Sequence, residues 1–418
     1  MDKENIENTD SQEKITLTLR EYILLKPIPV ITIVVIVLCI VNYIFKSLEG
    51  EITTFDAYEK YGFFSYEAII NGKYYGLITA TLVHGNLMHI FFNLYCILFL
   101  GIKIEKEIGY VKYFLFLITS AIAGTGLELL FSETTGIGIS GVAYAFFGFL
   151  WITSKKHPNF LGFLKKEDII NAVAWLVLCI VMTYFGSWNI ANYAHLGGFI
   201  WGILFAYAYI VKEKVILSIF LQIIQLGLSL TPVFYAPWNS TWIKVKAVQY
   251  IENNDTNSFE NILSNNKDKL DDDDRFYLIL GEMFLSKKDY NKAIEYYNKS
   301  QSIAKEIENK ESDPKKKTIA KLKEIFIKER LAISYLSIKE QDKSINIYQE
   351  LLKDPNSENK ANYYYNLACA YSIKNNKEKA IFYLSEAIKL DKKNKELAIK
   401  DSDFSNIKDS KEFKELIN

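Results

Sequence analysis

The chain has 418 residues, half of them hydrophobic, and its 49 basic and 49 acidic side chains leave no formal net charge. That average hides a split: residues 1–235 hold 16 Lys/Arg and 18 Asp/Glu, and the shorter remainder holds 33 and 31. Apolar runs of about 18–22 residues in the first part are long enough as helices to cross a bilayer, which excludes an ordinary soluble enzyme; with no basic stripe, nucleic acid is excluded as the main partner.

The first 26 residues are polar and mixed in charge, and no small-residue cleavage site follows the first apolar run, so no secretory signal is expected. Seven apolar segments follow, at 28–45, 84–102, 112–131, 137–154, 168–186, 192–211 and 215–235. Proline avoids the second to sixth of them, and Pro27, Pro29 and Pro158 mark loops or helix starts. Uninterrupted helices are expected, because in lipid each backbone group must find its partner within its own segment. Lysine sets the orientation. Lys14, Arg20 and Lys26 precede the first segment. Lys103, Lys106 and Lys112 follow the second, Lys155, Lys156, Lys165 and Lys166 the fourth, and Lys212 and Lys214 the sixth. The alternate connections 132–136 and 187–191 carry no Lys or Arg, so seven spans put the N-terminus in the cytoplasm and the charged tail outside.

The first outer connection, 46–83, is dense in aromatics: Phe55, Tyr58, Tyr61, Phe63, Phe64, Tyr66, Tyr74 and Tyr75. Rings with polar edges settle at membrane interfaces, so this segment is expected against or partly within the outer leaflet; an aqueous loop with its own small core is the alternative. Cys39, Cys96 and Cys179 lie within apolar runs and Cys369 stands alone in the tail, a pattern of buried small hydrophobes rather than a disulfide framework.

Three of the four histidines occur near the outer ends of apolar helices: His84 and His89 open the second segment and His195 the sixth. A strongly polar side chain in a span is costly and so marks a candidate functional site. Asn93 stands one turn beyond His89 on the same face, and Ser140 sits in Gly138-Ile139-Ser140-Gly141 at the outer start of the fourth segment. Three helices thus bring a nucleophile candidate, a base candidate and polar side chains to similar depth. Serine needs a base to take its proton, and His195 is the histidine on another helix able to face it. Gly198 and Gly202 on the sixth helix, with Gly141, Ala145 and Gly148 on the fourth, would let the two helices approach closely. Glu128 is the one carboxylate well inside a span, and no spacing links it to His195, so a dyad is the economical reading. His84 and His89 are five apart and no carboxylate completes a ligand set, so no metal site is expected.

Beyond residue 240 the pattern is a helical repeat. From Gly281, Ala332 and Ala368, residues at +3, +12, +16 and +19 are Phe284, Ala293, Tyr297 and Ser300; then Tyr335, Ser344, Tyr348 and Leu351; then Tyr371, Ala380, Leu384 and Ala387. The blocks are 51 and 36 residues apart, the extra length falling in the Lys/Glu-rich stretch 305–323. This resembles the tetratricopeptide repeat, an α-solenoid in which small residues let paired helices approach and aromatics fill the gap.

Taken together, His84-x4-His89-x3-Asn93, Gly138-x-Ser140-Gly141 and Ala194-His195-x2-Gly198-x3-Gly202 resemble the rhomboid intramembrane serine proteases, as does Gly101-x3-Glu105. A seventh helix followed by tetratricopeptide repeats is similar to a subgroup of Gram-positive bacteria. The resemblance implies an all-α polytopic bundle and a serine endopeptidase that cuts transmembrane segments of membrane proteins near the outer face, with no metal or organic cofactor. It implies Ser140 as nucleophile and His195 as general base and acid. His89, Asn93 and the Ser140 amide would form the oxyanion hole, Gly138 would allow close substrate approach, and His84 would support. Many relatives carry a Trp-Arg pair where this chain has Tyr75 and Gly76, while Thr79 agrees. The expected organisation is a cytoplasmic tail (1–26), a six-helix core (27–211), a seventh helix with a short linker (212–241) and an extracytoplasmic repeat domain (242–418) that docks a protein partner. A non-catalytic membrane scaffold or quality-control adaptor is the other reading, and keeping Ser140, His195, His89 and Asn93 together argues against it. A transporter is disfavoured, since no broken helix pair or charged midplane site is evident.

Overall fold

The computed structural model describes residues 28–49, 58–186, 189–270, 272–310, 313–354, 357 and 359–418. The N-terminal tail, Phe55 and Pro27 lie outside them. The described residues form helices and no strand, in two compact units that divide between Val245 and Lys246.

The first unit is a helical bundle: α1 (Val30–Leu48), α2 (Leu87–Ile108), α3 (Tyr110–Phe131), α4 (Ser140–Lys156), α5 (Lys166–Tyr184), α6 (Asn192–Ile210) and α7 (Val215–Phe234). Among the described residues six helices are long and apolar enough to cross a membrane, all of these but α4. At 17 residues α4 reaches only ~25 Å at the α-helical rise, because residues 137–139 of its apolar run belong to the preceding loop. It is buried in the bundle, with Val142, Ala145, Phe146, Phe149 and Leu150 shielded from solvent. α5 is the opposite case: of its residues only Cys179 is fully buried.

Glycine decides where backbones touch. A Cβ at Gly198 would collide with the carbonyl of Gly141, and one at Gly202 with that of Ala145, so α4 and α6 meet main chain to main chain. Gly109, at φ +81°, makes the tight turn from α2 into α3. Near the C-terminal end of α2, the buried carboxylate of Glu105 accepts from the amides of Ile31 and Thr32 (both 2.8 Å) and from the Thr32 hydroxyl (2.6 Å). It thereby caps α1, whose first amides have no intrahelical partner.

The aromatic connection before α2 has its own core. Phe63, Ala80 and Val83 cluster with Tyr58, Tyr61 and Ile137, while Tyr74 and Tyr75 are exposed. Its hydrogen bonds tie it to the bundle: Thr125 donates to the Leu77 carbonyl (2.7 Å) and Tyr66 to that of Pro232 (2.6 Å). α7 docks through Ser229, which donates to the Ala123 carbonyl (3.0 Å), and Gln225, which donates to that of Gly197 (2.6 Å).

The second unit stacks three helix pairs: α8 (Asp274–Ser286) with α9 (Tyr290–Lys310), α10 (Pro314–Ser337) with α11 (Gln341–Leu351), and α12 (Lys360–Ile373) with α13 (Lys377–Leu390). Of the repeat residues named from the sequence, all except Tyr335 are buried. The extra residues between the first and second blocks lengthen α9 and α10, to 21 and 24 residues, instead of forming a long loop. Each first helix closes on a left-handed residue at the same offset: Lys288, Lys339 and Asn375, with φ between 57° and 64°. Burial pushes the Cys369 thiol well above its ordinary range, in keeping with a packing role.

Candidate active site

The loop entering α4 sets the geometry. Gly136 and Gly138 adopt φ of +67° and +101°, conformations that L side chains rarely take. The amide of Gly138 donates to the Ala80 carbonyl (3.2 Å), pinning this loop to the aromatic connection. Ser140 follows as the first residue of α4, half-buried, where the first amides of the helix have no intrahelical acceptor and carry the positive end of its dipole.

His195 lies in the first turn of α6, 5% exposed, and its Nε2 is 2.8 Å from Ser140 Oγ. With the hydroxyl donating, the ring proton belongs on Nδ1, for which the described residues offer no hydrogen-bond partner. The ring leans on Tyr144, with centroids 4.8 Å apart. Tyr144 is one helical turn beyond Ser140, a contact that i, i+4 spacing from the serine could have suggested.

Glu128, singled out in the sequence as the one carboxylate well inside a span but linked by no spacing to His195, also reaches this region. Its Oε2 accepts from the Ala194 amide at 3.1 Å, so a carboxylate on α3 caps the helix that carries His195. The two residues are 66 apart in sequence, and no spacing rule joins them. The carboxylate reaches the backbone beside the histidine, and the structure pairs it with no imidazole nitrogen.

α2 supplies the remaining polar groups. Asn86 caps it by accepting from the His89 amide (2.9 Å), and this turns His89 and Asn93 toward Gly138. A Cβ on Gly138 would meet His89 Nε2 at 2.5 Å and Asn93 Nδ2 at 3.1 Å, so both nitrogens converge on the peptide two residues before the serine. Asn93 is 7% exposed and its Nδ2 is a buried donor with no partner among the described residues. His84 is fully buried, its ring 5.1 Å from that of His89, with Nδ1 3.2 Å from the Leu82 carbonyl; it sits behind His89. Gly141 packs against the Ala194 carbonyl, and Gly198 and Gly202 lie deeper along the α4–α6 contact. His157 packs on Phe160 and Tyr209, at the other end of α4. A small recess lies beside Ser140, lined by Thr81, Gly124, Thr125, Gly136 and Ala191 among others.

Three helices thus bring a serine, a histidine and two further side-chain nitrogens together around the loop that enters α4, a set suited to acyl transfer. Residues 71–212 match the family model of the Rhomboid domain, and residues 274–307 and 361–394 match that of the Tetratricopeptide repeat. Over 177 residues, 42% of this chain, the sequence is 30% identical to proteins named Rhomboid protease GlpG from Salmonella paratyphi A, Salmonella choleraesuis and Salmonella typhi. The matched stretch spans 62% of the length of each of those relatives.

Proposed function

For this multi-pass protein, which carries a rhomboid domain followed by tetratricopeptide repeats, we propose the activity of an intramembrane serine endopeptidase acting on transmembrane segments of other membrane proteins. The observation that carries the proposal is the 2.8 Å contact between Ser140 Oγ and His195 Nε2 at the mouths of two helices. Ser140 Oγ attacks the scissile carbonyl carbon as its proton passes to His195 Nε2. The tetrahedral oxyanion is held by the Ser140 amide and by His89 Nε2 and Asn93 Nδ2. His195 then returns the proton to the leaving amine, and a water activated by the same histidine hydrolyses the acyl-serine ester. Each fixed donor aimed at the oxyanion contributes about 10²–10³ in rate. The convergence of both nitrogens on Gly138, and the position of Ser140 at a helix N-terminus, support these roles. Gly138 keeps the approach to the serine open.

Substrates are segments whose helix is weakened by Gly, Pro or polar residues, since a regular helix shields its peptide bonds. The lysine asymmetry supports a cell-membrane protein with a cytoplasmic N-terminus, cleavage near the outer face and an extracytoplasmic repeat domain. In this division the core runs over 27–211, the seventh helix and linker over 212–241 and the repeats over 242–418, and the repeats recruit a protein partner or substrate. The deciding experiment compares purified wild type with Ser140→Ala in detergent, using a fluorophosphonate probe and a model transmembrane substrate. Labelling and cleavage by wild type alone is expected; equal behaviour of the two proteins would remove the protease assignment.

A further inference from the structure

The oxyanion donors depend on the orientation of His89, and a charged residue on another helix reaches the peptide that sets it. Lys46 lies in the last turn of α1 and is 7% exposed. A lysine so close to a helix end can extend its ammonium to the interface at small cost. This one turns inward. Its Nζ donates to the carbonyls of His84 (2.6 Å) and Gly85 (2.7 Å), with the rings of Tyr43 and Tyr58 at 5.4 and 5.6 Å.

The His84 carbonyl and the Gly85 N–H belong to one planar peptide group and point in opposite directions. While Lys46 holds the oxygen, that N–H faces His89 Nδ1 at 3.4 Å. A peptide whose oxygen is bound by a cation is polarised, and its N–H becomes a better donor. With Nδ1 accepting, the proton of a neutral imidazole sits on Nε2. Nε2 is the nitrogen that faces Gly138 and the serine loop. Tyr75 and Gly76 take no part in this: Tyr75 is exposed with its ring edge-on to Phe64 at 5.0 Å, and a Cβ at Gly76 would press on Phe64.

We infer that Lys46 is a positioning residue which, through the His84–Gly85 peptide, holds His89 in the tautomer whose Nε2–H is directed at the oxyanion. The inference rests on the proposed protease reading for its kinetic consequence, but the tautomer itself can be observed without turnover. Full-length protein carrying ¹⁵N-labelled histidine, in detergent, is compared by NMR with its His89→Gln variant to assign the ring. Wild type is expected to show an unprotonated Nδ1 and a protonated Nε2; a proton on Nδ1 in wild type overturns the inference whatever the variants do. In kinetics, Lys46→Met is expected to lower kcat about tenfold or more with KM within about twofold, since one oxyanion donor is worth about 10²–10³. Lys46→Arg, which keeps a cation in reach of both carbonyls, is expected to recover most of the loss. Unchanged kcat in Lys46→Met, or no recovery in Lys46→Arg with both proteins unfolding at the wild-type temperature, also overturns it. A wild-type protein that cleaves nothing and behaves like Ser140→Ala sinks the protease reading instead, and leaves the tautomer measurement to decide the role of Lys46.

Discussion

Ser140 Oγ and His195 Nε2 stand 2.8 Å apart although 55 residues separate them, and the glycines of the α4–α6 contact make that distance attainable. A hydroxyl and its base act as one unit, so removing either removes nearly the whole of the chemistry. His195→Ala is therefore expected to abolish turnover of a transmembrane substrate as fully as Ser140→Ala. A His195→Ala protein retaining more than about a hundredth of wild-type turnover would contradict the dyad, because an unassisted serine hydroxyl is a poor nucleophile.

Asn93 offers a graded test. Its buried Nδ2 finds no protein partner in the described structure, a costly arrangement unless a ligand oxygen comes to it. Asn93→Ala should leave a measurable remnant, about 10²–10³-fold below wild type, with the proton-transfer pair untouched. Full activity in this variant would make Asn93 structural and move the oxyanion assignment elsewhere.

Glycines that look alike in sequence differ in what they face. Gly202 on α6 abuts the Ala145 carbonyl, whereas Gly227 on α7 has nothing within 4 Å of a built Cβ. Gly202→Val should destabilise the bundle by about 1–3 kcal/mol or more and silence the site, since overpacking pushes α6 and its histidine away from α4. Gly227→Ala should be neutral or stabilising by up to about 1 kcal/mol, from helix propensity. Thermal unfolding of both variants in one detergent checks the pair, and equal shifts would contradict the contact.

Much of this was legible before any coordinates. Long apolar runs without proline read as helices in lipid, and the polar clusters near their ends could be aligned by depth; Ser140, His195, His89 and Asn93, named together on that basis, lie close to one another in the fold. The small residues at fixed offsets in the tail announced helix pairs, and Gly281 shows why: a Cβ there would meet the ring of Tyr297. Contacts without a period stayed hidden. Glu128 meets the Ala194 amide and Lys46 meets the His84 carbonyl across different helices, so neither leaves a spacing to read. The shortening of α4 was hidden as well, because the left-handed Gly138 delays the start of the helix inside an apolar run.

Glu128 can be tested on stability. Its carboxylate satisfies a buried amide at the positive end of α6, so Glu128→Ala strands that N–H at a cost of about 1–3 kcal/mol and loosens the turn that carries His195. Glu128→Gln keeps an acceptor and loses only the charge, so it should fall between wild type and the alanine variant in both unfolding temperature and kcat. An alanine variant as stable as wild type would show that the cap contributes nothing.

The tail is tested last, by location and then by dependence. In the proposed seven-span topology, with α4 crossing as well, the lysine asymmetry puts the repeat domain outside the cytoplasm, so protease added to intact cells or right-side-out vesicles should digest it. Protection would mean an even number of spans and a cytoplasmic tail. Stacked helix pairs offer an extended concave face suited to a peptide or partner helix. A chain ending after Tyr235 keeps α1–α7, with Ser140 and His195 both inside that segment, and so should still react with a small phosphonate probe. Its cleavage of a full-length natural substrate should fall, while that of a short transmembrane peptide should not. Equal loss on both substrates would mean that the tail stabilises the bundle, and no loss on either would remove substrate recruitment as its role.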